Sequence, residues 1–209
     1  LHSFPTRRSS DLTQMTSTEI WLRLIYTGDL FGEGMLSAAQ NLANSAVIDV
    51  ETLTASGLTA KQARRFLAMS SHEIEESLLW LEQPQHHLIL ACEQQYPQQL
   101  RAIADYPGAL FIKGEPDALV NQQLAVVGSR AHSWYGERWG TLFCEALARS
   151  GLTITSGLAL GIDSVAHRAA LNAQGKTIGV LGHGLFTVYP RRHISLPDKF
   201  CFQFFQECF

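Results

Sequence analysis

Two segments decide the fold: LAVVGSR at 124–130 and TITSGLALGIDSVAH at 153–167. In each segment a short apolar run ends in small residues and leads into a pattern that is typical of a helix. Two strand–loop–helix units in series build a parallel sheet, with both loops at one edge. Ligands bind at that edge in open α/β sheets. The two segments therefore predict a parallel α/β fold with a ligand site formed by the two loops.

The apolar pattern around these segments predicts the elements of the α/β half. Uninterrupted apolar runs are typical of buried parallel strands. We expect parallel strands at Leu124–Gly128, Leu152–Thr155 and Thr177–Leu181, helices at Tyr135–Ser150 and Ile162–Ala173, and two earlier strands at His87–Ala91 and Ala109–Lys113. Apolar residues at 139, 142, 143, 146 and 147 form the stripe of the first helix, and Gly175 is the expected C-cap of the second. The sheet is expected to stop after about three parallel strands.

The front of the chain predicts a small helical domain over residues 15–84. Two short helices follow Thr18, a turn falls at Ser56-Gly57, and a helix begins near Thr59, which is a good N-cap. Helical pattern then continues to about Gln83, and Pro84 stops it. The alternation of helix, turn and glycine resembles helix-hairpin-helix or SAM-like modules. The acidic balance of this part favours a packing or protein-contact role over a DNA surface.

Both ends of the chain look foreign to these domains. Residues 1–14 lack periodicity, precede a plausible initiator at Met15, and resemble a translated sequencing adapter. At the other end, five of the eleven phenylalanines fall in the last ten residues. We therefore interpret 197–209 as a frameshifted tail, which leaves 85–196 as a truncated Rossmann-like domain.

Composition and charge limit the class of protein. The chain is 46% hydrophobic and 17% charged, and it contains no apolar run near the ~20 residues that a membrane span needs. No secretory signal is visible, and the scattered cysteines lack metal-ligand spacing, which together favour a cytoplasmic protein with reduced thiols. Residues 15–90 carry four Lys/Arg and nine Asp/Glu, whereas residues 124–195 carry seven and three. The half with the glycine loops is thus the basic half.

The first loop has the chemistry of an anion site. Gly128 permits close approach to the backbone, and Ser129 can donate a hydrogen bond near a helix N-terminus. Arg130 can contact a phosphate through two N–H groups. The alternative is a tight turn that carries a solvent-exposed arginine.

The second loop repeats this pattern. Ser156, Gly157 and Gly161 supply small residues at the end of the next strand, so we expect them to form the other wall of the site. Asp163 and His167 follow on one face of the helix. We interpret them as a helix-dipole acid and a hydrogen-bonded histidine, in preference to a catalytic pair, because no nucleophile accompanies them.

Neither loop matches a known nucleotide fingerprint. The first lacks GxGxxG, and the second does not fit GxxxxGK[ST]. The adjacent His86 and His87 have no acidic or cysteine partner at ligand spacing, so we interpret them as surface residues. The sequence therefore predicts neither a cofactor nor a bound metal.

Four motifs together resemble the bacterial DNA-processing protein A family, also called DprA or Smf. They are AVVGSR, WYGERWG, TSGLALGIDSVAH and YPRRH, and they occur in the family's order and spacing over most of residues 16–196. The resemblance implies a Rossmann-like domain that binds single-stranded DNA, loads the RecA recombinase in natural transformation, and self-associates as a homodimer. It also implies a binding protein that catalyses no reaction.

The resemblance further implies which residues contact DNA. Gly128, Ser129 and Arg130 match the family's glycine-serine-arginine, and Arg191 and Arg192 match its basic pair after tyrosine-proline. Leu160 stands where many members carry a basic residue. The family's sheet also continues beyond this chain, so the resemblance implies that the chain is an N-terminal fragment.

Two other functions remain open at this point. A related Rossmann-like group cleaves nucleotide N-glycosidic bonds, and those enzymes need a loop of the PGGxGTxxE kind, which this sequence lacks. The second alternative is a nucleotide-sensing α/β domain. Release of free base, or binding of a labelled oligonucleotide, would separate these functions from the first.

Overall fold

The computed structural model describes residues 15–181 and the backbone of residues 201–204. The chain divides into two compact units, with the boundary between Leu79 and Trp80. The first unit is helical and the second is built around a mixed β-sheet. This architecture confirms the predicted fold class. Among the described residues, no helix has the length and apolar character required to cross a bilayer.

Five helices run through the first unit and into the start of the second. They are α1 (Ser17–Tyr26), α2 (Gly32–Ala43), α3 (Val50–Ala55), α4 (Ala60–Ala68) and α5 (Ser71–Leu81). Burial of their apolar faces supplies most of the driving force for folding. The largest fully buried side chains of this unit are Phe66, Leu22, Leu24, Met35, Leu42 and Leu53.

One charged side chain is buried among these helices. Arg23 on α1 is 6% exposed, and its guanidinium donates to the Glu19 carboxylate at 3.0 Å. It also donates to the carbonyl oxygen of Phe66 at 2.9 Å and to that of Met69 at 3.2 Å. A buried charge is tolerated only when it is paired and hydrogen-bonded, and Arg23 meets that condition by tying α1 to the end of α4.

Local capping explains where the helices begin. Thr59 is confirmed as the N-cap of α4, since its hydroxyl accepts from the Gln62 amide and the Gln62 side chain accepts from the Thr59 amide. The prediction of continuous helix to Gln83 was wrong, because Met69 is extended and interrupts it. A second reciprocal cap, between Ser70 and Glu73, then starts α5. Helix α3, which the Asp49 side chain caps, was not predicted from the sequence.

The second unit contains a six-stranded sheet. Its strands are β1 (His86–Leu90), β2 (Ala109–Lys113), β3 (Gln123–Ala125), β4 (Thr153–Ser156), β5 (Thr177–Leu181) and β6 (Cys201–Phe204). They lie in the order β1-β2-β6-β5-β4-β3. β1 and β2 pair antiparallel, β2 and β6 also pair antiparallel, and β6, β5, β4 and β3 run parallel.

The sheet differs from the expectation in two respects. The prediction that it stops after about three parallel strands was wrong, because β6 adds a fourth between β5 and β2. β6 lies within residues 197–209, where the sequence reading assigned no element. The strand expected over Leu124–Gly128 begins one residue earlier and ends at Ala125, although the Val126 amide still donates to the Thr155 carbonyl oxygen at 2.9 Å.

The described part of the second unit contains two short 3-10 helices, Gln98–Ala102 and Pro116–Val120. Its α-helices after the first strands are α6 (Trp134–Arg149) and α7 (Ile162–Asn172). They share an apolar core with β4, made of Cys144, Ala148, Ile154, Ala166, Ala169 and Ala170. Burial raises the pKa of the Cys144 thiol, so this cysteine stays protonated.

The expected C-cap of α7 is corrected. Ala173 is the C-cap, and Gln174 takes the left-handed conformation with φ of 57°. Gly175 is required for a different reason, since a β-carbon there would lie 2.7 Å from the Ala148 side chain on α6. The glycine therefore permits close packing between the end of α7 and α6.

Candidate nucleic-acid interface

The first loop leaves the carboxyl end of β3 and leads into α6. Ser129 and Arg130 are both exposed. The Ser129 hydroxyl bonds within the loop, accepting from the Ala131 amide and donating to the Ala131 carbonyl oxygen, each at 3.1 Å. Within residues 15–181 the Arg130 guanidinium has no ion-pair partner. The loop thus holds its own shape and presents a cation at its tip.

Gly128 has a packing role that the sequence argument missed. A β-carbon at this position would lie 2.6 Å from Cγ1 of Ile162, the first residue of α7. The face of the glycine is therefore filled by protein, and the first loop rests directly on α7. Any contact of Gly128 with a ligand must use its backbone amide or carbonyl.

The second loop joins the first at one point. Gly161 has φ of 92°, and a β-carbon there would lie 2.6 Å from the Arg130 α-carbon. Next to it, the Ile162 amide donates to the Ser129 carbonyl oxygen at 3.1 Å. Only glycine avoids both the strain and the overlap. The structure thus brings together the two loops that the sequence placed at one edge of the sheet.

Ser156 lies with its hydroxyl turned inward. The side chain donates to the Val126 carbonyl oxygen at 2.6 Å, and the residue is 5% exposed. This bond ties the end of β4 to the chain that leaves β3. The hydroxyl is therefore used in a hydrogen bond at the end of the sheet, where it positions the loops. The predicted contact between Ser156 and DNA stays a prediction.

His167 and Asp163, both on α7, bond to the backbone of the second loop and hold it in place. The His167 ring is 1% exposed, its Nε2 lies 2.6 Å from the Gly157 carbonyl oxygen, and its Nδ1 lies 2.7 Å from the Thr177 hydroxyl. The carbonyl can only accept, so Nε2 carries a proton. One Asp163 oxygen accepts from the Ala159 amide at 3.3 Å. The interpretation of His167 as a hydrogen-bonded structural histidine is confirmed.

Gly157 completes this support. A β-carbon at this position would lie 2.7 Å from an oxygen of Asp163, so glycine leaves room for the carboxylate under the loop. The loop is therefore fixed from both sides, by His167 through a carbonyl and by Asp163 through an amide. Such a rigid loop presents its outer backbone groups in a constant geometry.

Helix starts add further donors at this edge. Ser133 caps α6, its hydroxyl accepting from the Gly136 amide at 3.1 Å, and α7 begins directly after Gly161. Helix N-termini favour anions because their first amides lack intrahelical partners. The predicted basic pair, Arg191 and Arg192, lies outside the described residues. In the described part of the chain, no group of three or more His, Cys, Asp or Glu side chains could hold a metal ion.

Most of the apolar stripe predicted for α6 does not lie on the packed face of the helix, so that prediction was wrong. Trp139, Leu142 and Phe143 were expected to lie on the packed face, but they are 38%, 53% and 58% exposed. Leu147 of the predicted stripe does pack against the core, beside Cys144 and Ala148, which lie one position further along each turn. The small residues at 140, 144 and 148 were the available signal, since close helix packing needs small side chains.

This fold and these loops define a Rossmann-like α/β unit that follows a small helical unit along the chain. The model described as DNA recombination-mediator protein A matches residues 87–203, and the SMF/DprA SAM domain model matches residues 15–79. The first match alone spans more than half of the chain. The chain belongs to the DNA processing protein A family, also called DprA or Smf.

Sequence identity to individual proteins supports this family membership. Protein Smf of Escherichia coli K12 is 59% identical over 182 residues, which cover 87% of this chain and 49% of the relative. DNA processing protein DprA of Bacillus subtilis is 39% identical over 106 residues, or 50% of this chain and 36% of the relative. The chain therefore spans about half, or less, of the length of these curated relatives.

A solved structure shares the fold. The X-ray structure of DNA processing protein A from Streptococcus pneumoniae superposes with a TM-score of 0.72 at 30% identity. The superposition covers 91% of this chain and 68% of the other.

Proposed function

We propose that the full-length protein binds single-stranded DNA at the edge formed by the two loops, and that it acts in DNA processing during recombination and natural transformation. The observation that carries the proposal is the junction of the loops, where the Ile162 amide bonds to the Ser129 carbonyl oxygen and Arg130 stays exposed. A rigid loop with a free cation suits phosphate, which dominates the affinity of nucleic-acid binding.

The predicted site residues take distinct roles in this proposal. Ser129 and Arg130 face the phosphates, with the Gly128 backbone beside them, and Arg191 and Arg192 are the further DNA contacts that the family resemblance implies. Ser156, Gly157 and Gly161 set the shape of the second loop, whose outer backbone contacts the strand. Binding is the whole activity of this site, with no catalytic step.

Two further parts of the proposal concern partners. The bound strand is delivered to the RecA recombinase in the cytoplasm, and the full-length protein acts as a homodimer. Family membership supports both parts, and the exposed position of the site on the described α/β unit is consistent with transfer of the strand to a second protein.

Fluorescence anisotropy with a labelled oligo-dT tests the central part. Arg130→Ala in the full-length protein is expected to weaken binding by about 1–3 kcal/mol, the usual worth of a charge-assisted hydrogen bond, and to reduce the salt dependence. Arg149→Ala is the matched control, because Arg149 is an exposed arginine at the far end of α6 that pairs only with Glu145 at 3.1 Å. Equal effects of the two substitutions, or a preference for duplex DNA, would contradict the proposal.

Catalysis is tested separately. Incubation of the full-length protein with nucleoside monophosphates is expected to release no free base. Base release that depends on Asp163 would show instead that the site belongs to an N-glycosidase.

A further inference from the structure

The helix that follows the first loop carries an exposed aromatic surface. We define the α6 aromatic surface as Trp134, Tyr135, Trp139 and Phe143, which are 71%, 65%, 38% and 58% exposed. Soluble proteins rarely leave contiguous apolar patches of this kind uncovered unless the patch binds something. The opposite side of the helix already packs on β4 and α7, so this surface is not needed for the core.

The rings of this surface form a continuous row. The Tyr135 and Trp139 ring centres lie 5.9 Å apart, and the Trp139 and Phe143 rings stack with centres 5.5 Å apart. Trp134 stands beside the row, and the Arg138 guanidinium lies 5.4 Å from its ring centre. Contacts between neighbouring rings hold their orientations, so a flat partner meets surfaces that are already arranged.

The position of the row points to its partner. α6 begins at Trp134, four residues after Arg130, so the aromatic row starts where the proposed phosphate loop ends. Arg138 adds a second cation at the same end, while Glu137 lies 3.4 Å from the His132 ring. Proteins that bind single strands combine a basic groove for the backbone with aromatic rings on which successive bases stack.

We propose that Trp134, Tyr135 and Trp139 form a base-stacking platform for the strand that Arg130 holds by its phosphate. This inference rests on the proposed function, since it extends the same binding path along α6. Stacking is tolerant of sequence because every base has a π face. The platform therefore supports binding of strands of any sequence and excludes paired bases, whose faces are covered within the duplex.

An abasic oligonucleotide separates this inference from the proposed function. It keeps the phosphates of oligo-dT and lacks the bases. Trp134→Ala and Trp139→Ala in the full-length protein are each expected to weaken oligo-dT binding roughly 5- to 150-fold, the equivalent of one base stack, and to leave binding of the abasic strand unchanged. Arg130→Ala is expected to weaken binding of both oligonucleotides. If it does not, the result contradicts the proposed phosphate site and leaves the stacking platform untouched.

Two further variants and two further readouts make the test decisive. Trp134→Phe keeps a ring and is expected to retain most of the affinity, while Leu142→Ala removes an equally exposed side chain without a π face and is expected to change nothing. Oligo-dT is also expected to quench tryptophan emission, because Trp21 and Trp80 are buried and Trp134 and Trp139 are the accessible indoles among the described residues. Equal losses for both oligonucleotides overturn the platform, as does dissociation of a dimer by Trp139→Ala in sedimentation, which would identify the surface as a protein interface.

Discussion

The Arg130 α-carbon lies 2.6 Å from the point where a β-carbon on Gly161 would stand. Two loops that are thirty residues apart in sequence thus touch through backbone, with no side chain between them. The adjacent hydrogen bond from the Ile162 amide to the Ser129 carbonyl oxygen, at 3.1 Å, stabilises this contact. The geometry of the proposed DNA site therefore depends on one glycine that does not itself need to contact DNA.

Gly161→Ala is expected to open this junction. The methyl group meets the Arg130 backbone, and φ of 92° is strained for alanine by about 1–3 kcal/mol. The overlap adds a comparable cost, typical of overpacking. Native-state hydrogen exchange should show faster exchange of the Ile162 amide, and anisotropy should show weaker binding of oligo-dT.

Gly151→Ala is the control for this substitution. Gly151 has nearly the same φ, 94°, but a β-carbon there meets nothing within 4 Å. It should show the strain alone and leave DNA binding unchanged. If both variants lose the same stability and bind DNA equally well, the contact between the loops has no part in binding.

A second prediction concerns the buried link between His167 and Thr177. The His167 ring joins the Thr177 hydroxyl on β5 to the Gly157 carbonyl oxygen in the second loop. His167→Ala leaves the Gly157 carbonyl oxygen without this donor, at about 1–3 kcal/mol for an unsatisfied group, whereas the Thr177 hydroxyl keeps its bond to the Ile154 carbonyl oxygen at 2.7 Å. Thr177→Val leaves the ring bound to Gly157 but removes the hydroxyl's bonds to the ring and to the Ile154 carbonyl oxygen, so it should also destabilise the fold.

A double-mutant cycle measures that link. Urea unfolding of the two single variants and the double variant should give a coupling of about 0.5–3 kcal/mol, as residues in one hydrogen-bond network do. Additive losses would mean that the two side chains stabilise the fold independently.

The sequence predicts those features of the fold that depend on interactions between residues close together in the chain. Periodicity and capping are local, so the N-cap at Thr59 and the strand at Thr177–Leu181 follow directly from the chain. The break at Met69 is also local, but its signal, the Ser70–Glu73 cap, lies inside an otherwise helical pattern. The pairing of β6 with β2 and β5 is long-range, and no turn or periodicity in the tail predicts it.

The site shows the same division. Small residues after each strand predict where the loops lie, but they do not say what each glycine accommodates. Gly128 makes room for Ile162, Gly157 for Asp163 and Gly161 for the Arg130 backbone. All three contacts join residues from different elements, so they become visible only when the fold brings the loops together.

His86 was expected at the surface, but its ring is partly buried and stacks on Trp80 with ring centres 4.0 Å apart. Its pKa gives a pH-dependent prediction. Burial lowers this pKa below 6.5, and the nearby Lys113 and His87 lower it further, although the bond to the Trp80 carbonyl oxygen opposes the shift. The unfolded chain therefore binds a proton before the folded chain does. His86 contributes stability above pH 6.5 that is lost as the pH falls through the folded pKa.

NMR titration of the His86 ring measures this effect. The native ring should titrate at lower pH than the same ring in concentrated urea. The thermal midpoint of His86→Phe should change less than that of the natural chain between about pH 7 and about pH 5. A native pKa at or above the value in urea would contradict the prediction.

The last prediction concerns Thr59 in the helical unit. Its hydroxyl and the Gln62 side chain satisfy each other's amides, and Gln62 also donates to the Gly28 and Asp29 carbonyl oxygens at 3.1 and 2.9 Å. Thr59→Ala removes the hydroxyl that caps the Gln62 amide, while the Gln62 side chain keeps its other bonds, so it should cost about 1–2 kcal/mol of helix stability. Thr54→Ala is the control, because the exposed Thr54 hydroxyl bonds only back to carbonyls of its own helix. It should be neutral or slightly stabilising, since alanine has the higher helix propensity. Urea unfolding followed by far-UV circular dichroism compares the two variants, and an equal loss for both would show that the cap adds nothing to the fold.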